Sequence, residues 1–185
     1  KNGMRKQWVW PILALALLTA EPPIPAAGEE RVAFIIGNSD YLHAGQLKNP
    51  GNDASALKAP FTRLGYQVIH GKDLSQERLR SQVRSFVDRL VGVEVAVFFY
   101  AGHGLQASGR NYLMPVDARL QGERDLDFEA VSVDFVLKQM ELEREGKTNV
   151  VFLDACRDNP LARNLARSMG TRSASIGRGL AQVQT

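Results

Sequence analysis

Four short apolar runs limit what this 185-residue chain can fold into: RVAFIIG (31–37), YQVIH (66–70), EVAVFFY (94–100) and TNVVFL (148–153). Each has the length of a strand and is rich in β-branched or aromatic residues. Helical periodicity fills the gaps between them. From Ser75 to Val91, residues Leu79, Val83, Phe86, Val87 and Leu90 fall on one face, and Ser75 stands where an N-cap belongs. Ser132 to Glu143 turns Val133, Val136, Leu137 and Met140 inward. Asn52 to Leu64 is a third helix, with Asn52 or Asp53 as its cap, Gly65 as its stop and Pro60 as an expected kink. Leu105 to Leu113 reads as a hairpin turning at Ala-Ser-Gly-Arg.

Strand and helix in alternation predict an α/β fold with a largely parallel sheet. Near-continuous apolar strands fit burial on both faces. Such sheets bind ligands beyond the carboxyl ends of their strands. Three loops are expected to leave there: GNSDY (37–41), AGHG (101–104) and DACRD (154–158). Parallel neighbours lie about 4.8 Å apart. If the third and fourth strands are neighbours, His103 and Cys156 come within reach of each other.

Cys156 is the only cysteine. A thiol titrates near 8.5, so at neutral pH it needs an imidazole to take its proton or to stabilise the thiolate. Such a pair attacks carbonyls, and the oxyanion then needs backbone N–H donors. Gly104 and Cys156 itself are candidates. The plain alternatives are a small buried thiol and a hydrogen-bonded core histidine in a tight turn.

Rival chemistries find less support. His43, His70 and His103 match no zinc spacing, and no second cysteine helps them. Gly37-Asn-Ser lacks the glycines of a dinucleotide loop. Calcium has no EF-hand loop, which leaves only an irregular acidic cluster around Glu123, Asp125 and Asp127 to weigh against a solvated loop. No metal or other cofactor is expected. The charge of +3 is modest, and the basic residues are spread without interleaved aromatics, so nucleic acid is not an expected partner.

Both ends differ from the middle. Residues 1–28 combine Lys1, Arg5 and Lys6, an uncharged stretch from Trp8 to Ala20, and a Pro-rich linker. This describes an export signal, hence a periplasmic or secreted protein. The apolar stretch is short for a membrane span, and Leu18 spoils a clean cleavage site after Ala20, so an uncleaved anchor with membrane contact is the alternative. Residues 161–185 carry Arg163, Arg167, Arg172 and Arg178 and no acid, as a self-processing loop or a solvated basic segment would. Residues 29–160 are the expected catalytic domain.

RVAFIIGN, NDASAL, FFYAGHG, NYLMPVDA and FLDACRDNP together resemble the caspase-like cysteine peptidases, in particular their bacterial metacaspase and orthocaspase branch. The likeness runs from residue 31 to about 185. The caspase signature places its histidine about 50 residues before the cysteine, and here Cys156 follows His103 at a similar interval. The resemblance implies a three-layer sandwich, with Cys156 as nucleophile and His103 as the proton donor to the leaving amine. It also implies two further strands after the basic segment, before which this sequence stops at Thr185. Asp154 and Asp158 depart from the caspase glutamine and glycine. An acid at position 154 resembles the metacaspase specificity pocket, with a second acid at Asp53 of the Asn52-Asp53 pair. Two carboxylates favour protein or peptide substrates with arginine or lysine at the cleaved bond. Asp53 has helix capping as its alternative role. The activity implied is that of an endopeptidase; the other class is a catalytically weak caspase-like interaction module.

Overall fold

A computed structural model describes residues 30–142, 144–156, 161 and 162. The expected export segment, the basic tail from residue 163 and Asp158 lie outside the described residues. The elements in chain order are β1 (Arg31–Gly37), α1 (Pro50–Arg63), β2 (Gln67–Lys72), α2 (Gln76–Asp88), β3 (Val95–Ala107), β4 (Arg110–Leu113), α3 (Leu126–Glu129), β5 (Val131–Ser132), α4 (Val133–Glu141) and β6 (Thr148–Cys156).

The apolar runs form a parallel sheet in which β1 lies between β2 and β3, and β6 pairs with the far side of β3. Period-two alternation then sorts the strand residues between two helical layers. Phe34, Ile36, Phe98 and Tyr100 face α2 and α4, where Leu79, Val83, Phe86, Val136 and Met140 complete the larger core. Ala33, Ile35 and Val97 face α1. This is the expected α/β sandwich.

β3 is longer than its apolar run predicts. The sequence places Gly102, His103 and Gly104 in a loop, but the strand continues through them to Ala107. Antiparallel pairing with β4 extends it, from Gly104 opposite Leu113 to Ala107 opposite Arg110. The turn between them falls at Ser108 and Gly109, both with positive φ, as right-twisted two-residue hairpins require. β6 likewise runs on to Cys156, so Asp154 is a strand residue and not a loop residue. A second apolar cluster gathers around the hairpin, including Tyr41, Leu105, Tyr112, Met114 and Leu126.

Helix α1 starts at Pro50, two residues earlier than Asn52. Asn49 precedes it, Pro50 occupies the first turn, and neither Asn52 nor Asp53 caps it. Pro60 does not interrupt it; the helix continues to Arg63, because the proline opens the half-buried last turn, where one lost backbone bond ends little of the helix. The start of α1 packs tightly on β1. A Cβ on Gly37 would lie 2.3 Å from the Pro50 carbonyl oxygen and 2.8 Å from the Ala54 Cβ.

Arg144 closes the opposite end of the sheet. It is 6% exposed, and its Nη1 donates to the carbonyls of Leu90 (3.0 Å) and Val93 (2.6 Å). Nε donates to Asn149 Oδ1 at 3.3 Å. One side chain thus ties the end of α2 to the beginnings of β3 and β6.

Two substitutions test this packing. Gly37→Ala should destabilise the protein by about 1–3 kcal/mol, since backbone must shift to admit a methyl group. Arg144→Ala should cost about 1–3 kcal/mol by leaving buried carbonyls without a donor. Urea denaturation reads both, and a midpoint equal to that of the unsubstituted protein would contradict either account.

Candidate active site at the end of β3

His103 and Cys156 occupy the same rung of the β3–β6 ladder, the last rung of that pairing. Neighbouring parallel strands put such backbone positions about 5 Å apart. The side chain of Cys156 is not among the described residues, so the geometry that follows belongs to His103 and its surroundings.

His103 is held on several sides. Its backbone N–H donates to the Tyr41 hydroxyl at 2.7 Å. Its carbonyl accepts from the Tyr100 hydroxyl at 2.8 Å and from the Met114 N–H at 3.0 Å. The Tyr41 ring lies 4.4 Å from the imidazole, centroid to centroid, tilted by 55°. Nε2 is 2.8 Å from the carbonyl oxygen of Gly45. A carbonyl can only accept, so Nε2 carries the hydrogen, and in the neutral ring Nδ1 is the basic nitrogen. The side chain is 1% exposed.

The two tyrosines form one buried unit with their hydroxyls 3.2 Å apart. The Tyr100 hydroxyl lies 2.8 Å from the His103 carbonyl and 2.9 Å from that of Met114, and the Tyr41 hydroxyl lies 3.2 Å from the Met114 carbonyl. Burial first, and the neighbouring Tyr41 second, hold the Tyr100 hydroxyl well above its ordinary pKa, so it stays neutral while the protein is folded. Gly102 makes room for this pair. A Cβ there would stand 2.6 Å from the Tyr41 hydroxyl and 2.7 Å from that of Tyr100. Asn38 braces the same corner: Nδ2 donates to the Met114 carbonyl (3.1 Å), and Oδ1 accepts the Leu74 N–H (2.9 Å).

The remaining expected residues occupy the same end of the sheet. Gly104 follows His103 in β3 and is the first residue of that strand paired with β4. Gly37, Ala101 and Asp154 share one row across β1, β3 and β6. Asp154 is exposed on β6. Asp53 is exposed in the first turn of α1, beside the Ala54 that packs on Gly37. Val150, four rungs before Asp154 and so on the same face, packs with the α1 cluster. Asp53 and Asp154 therefore belong to one face and one end of the sheet.

The other residues weighed from the sequence lie apart. His70 is on β2, four rungs short of His103 in the common register. Burial, with Lys58 and Lys72 adding to it, lowers its pKa. His43 Nε2 accepts from Arg119 Nε at 2.7 Å. In the acidic segment, Asp125 accepts the N–H groups of Gln121 and Gly122, both at 2.8 Å, which holds its carboxyl below the usual range. Glu123 accepts from the Ser108 hydroxyl. A cavity of about 670 Å³ between α2, α3 and α4 includes none of the five expected site residues.

Sequence reasoning missed Tyr41, Tyr100, Asn38 and the Gly45 carbonyl. Tyr100 and Tyr41 do stand directly beside the motifs, one before AGHG and one after GNSD. Each reads equally well as ordinary core aromatic, and only the long-range contact separates the two meanings.

The sequence model of the caspase domain matches residues 30–179. Among curated proteins, the chain is 31% identical over 139 residues to mucosa-associated lymphoid tissue lymphoma translocation protein 1 of Homo sapiens, covering 75% of this chain and 16% of that protein. The mouse homologue of that protein is 31% identical over 129 residues, covering 70% of this chain and 15% of its own length. Both relatives are thus several times longer than the region shared, and both are mammalian, so what the matches establish is the family and not a bacterial branch of it. From the sandwich fold and the extent of that match, the chain belongs to the caspase-domain family.

Proposed function

We propose that this chain is a cysteine endopeptidase working through His103 and Cys156. The observation that carries the reading is the shared rung of these two residues, with His103 Nε2 tied to the Gly45 carbonyl. That contact leaves Nδ1 as the nitrogen able to take the thiol proton. The thiolate adds to the scissile carbonyl, and the oxyanion accepts hydrogen bonds from the backbone N–H groups of Gly104 and Cys156. The intermediate collapses, the C–N bond breaks, and the imidazolium returns its proton to the leaving amine. Water then attacks the thioester, His103 takes its proton, and the thiolate leaves. No cofactor enters the scheme.

Substrate choice follows from charge. Asp53 and Asp154, on one face and at one end of the sheet, suit the guanidinium or ammonium group of a residue preceding the cleaved bond. Residues 1–28, if they direct export, would put this activity in the periplasm or outside the cell, with the membrane as a contact only if they are retained.

A second reading is favoured by one observation. Phe152 on β6 is 50% exposed, and β3 is the neighbour of β6 among the described residues. An exposed strand of this kind suits docking to another chain, as in a catalytically weak interaction module.

Fluorogenic peptides ending in Arg, Lys or Asp separate the two. Cleavage after Arg or Lys should fall by at least about 10³-fold in Cys156→Ala and in His103→Ala. Equal rates in the unsubstituted protein and in folded Cys156→Ala would end the peptidase reading. Asp154→Ala should reduce kcat/KM for the Arg peptide by about 10–100-fold, the worth of one charge-assisted hydrogen bond. An unchanged preference among the three peptides would take Asp154 out of the pocket.

A further inference from the structure

The segment from Asn38 to Leu47 touches His103 three times, and two of the three contacts come from a single residue. Tyr41 takes the backbone N–H of His103 with its hydroxyl and packs its ring against the imidazole. Gly45, four residues on, holds Nε2. Tyr100 is different in kind, because it lies on β3 and bonds the carbonyl of its own strand. Tyr41 reaches β3 from another part of the chain.

We propose that Tyr41 is a positioning residue for His103, fixing the backbone and the ring of the histidine relative to the segment that supplies the Gly45 carbonyl. The proposal rests on the peptidase reading for its catalytic meaning. Its geometry stands on buried contacts: Tyr41 is 4% exposed and His103 is 1% exposed. The hydroxyl of Tyr41 is itself oriented. It accepts from the His103 N–H, and its own proton has the Met114 carbonyl and the Tyr100 hydroxyl, each 3.2 Å away, as partners. Tyr100 does not ionise in the working range, so this arrangement keeps its protons.

The segment carrying Tyr41 is anchored at both ends. Asp73 Oδ1 accepts the N–H groups of Ser39 (2.7 Å) and Asp40 (3.0 Å). Ser39 Oγ accepts the Gly51 N–H at 3.0 Å, and the Ser39 carbonyl accepts the Leu47 N–H at 3.0 Å. The Leu42 N–H donates to the Val116 carbonyl at 2.8 Å. A rigid segment thus meets a rigid strand, and Tyr41 is the joint between them. Removing its hydroxyl leaves the His103 N–H buried without that acceptor and frees the ring to drift from Gly45. Displacing a catalytic group by about 1 Å can cost about 100-fold in rate.

Tyr41→Phe keeps the ring and removes the bond. We expect kcat to fall about 10–100-fold with KM little changed. Val136→Ala, a core truncation on α4, serves as the control for general destabilisation. Histidine ring ¹⁵N spectra give a readout that needs no turnover, and the chain has only three histidines. His103 should show one tautomer, with hydrogen on Nε2, in the unsubstituted protein, and a tautomer mixture or a shifted titration in Tyr41→Phe. His70, on β2 and outside that segment, should be unaffected. Asp73→Gly loosens the same segment from outside the core, at a position whose φ of 48° suits glycine. It should change the His103 spectrum in the same direction, and it replaces Tyr41→Phe if that variant does not fold. A His103 spectrum unchanged in both variants, or a kcat for Tyr41→Phe no lower than that of Val136→Ala, overturns the proposal. If the unsubstituted protein cleaves nothing, the peptidase reading fails, and the spectra still decide whether Tyr41 holds His103.

Discussion

The structure depends on one strand belonging to two sheets. β3 pairs in parallel with β1 up to Ala101 and with β6 up to His103; from Gly104 onward it pairs antiparallel with β4. The pairing changes sense between two adjacent residues, and those residues are ones the proposed chemistry uses. Strand pairing satisfies backbone groups on both sides and leaves little freedom in φ and ψ. A histidine placed there is more firmly held than one carried on a free loop.

This changeover also explains the crowding beneath it. Two cores meet at this point, the large one between the sheet and α2 with α4, and the smaller one around the hairpin. Tyr100 belongs to the first and Tyr41 to the second, and their hydroxyls meet over Gly102. The Met114 carbonyl lies within hydrogen-bonding distance of both hydroxyls and of Asn38 Nδ2. Polar groups at the seam between two apolar clusters are costly unless they are satisfied, and once satisfied they specify a single arrangement.

The strands and helices were legible because the apolar runs are short, bounded and separated by clear 3.6-residue periodicity. The nearness of positions 103 and 156 was legible only on the condition that the third and fourth apolar runs are neighbours, a condition the β3–β6 pairing meets. The continuation of β3 was not legible. AGHGLQA holds two glycines and breaks the apolar run, and its strand character comes from a partner that local sequence does not announce. The start of α1 was misplaced because Asn52 and Asp53 are good caps by type, while Pro50 fixes the first turn earlier. Asp53 and Asp154 were legible as residue types. Their common face needed the register, which only long-range pairing sets. The tyrosine pair was hidden for the same reason.

Arg144 lies at the other extreme of these strands. Val95 and His103 are separated by eight residues of extended chain, or about 26 Å. The bonds of Arg144 gather where β3 and β6 begin, and the proposed chemistry falls where β3 and β6 are last paired. Durability and the proposed reactivity are therefore written in different parts of the same strands. A chain built in this way can exchange its reactive rim for another and keep the closed end that makes it fold, or have its closed end reinforced without any change in what the rim recognises.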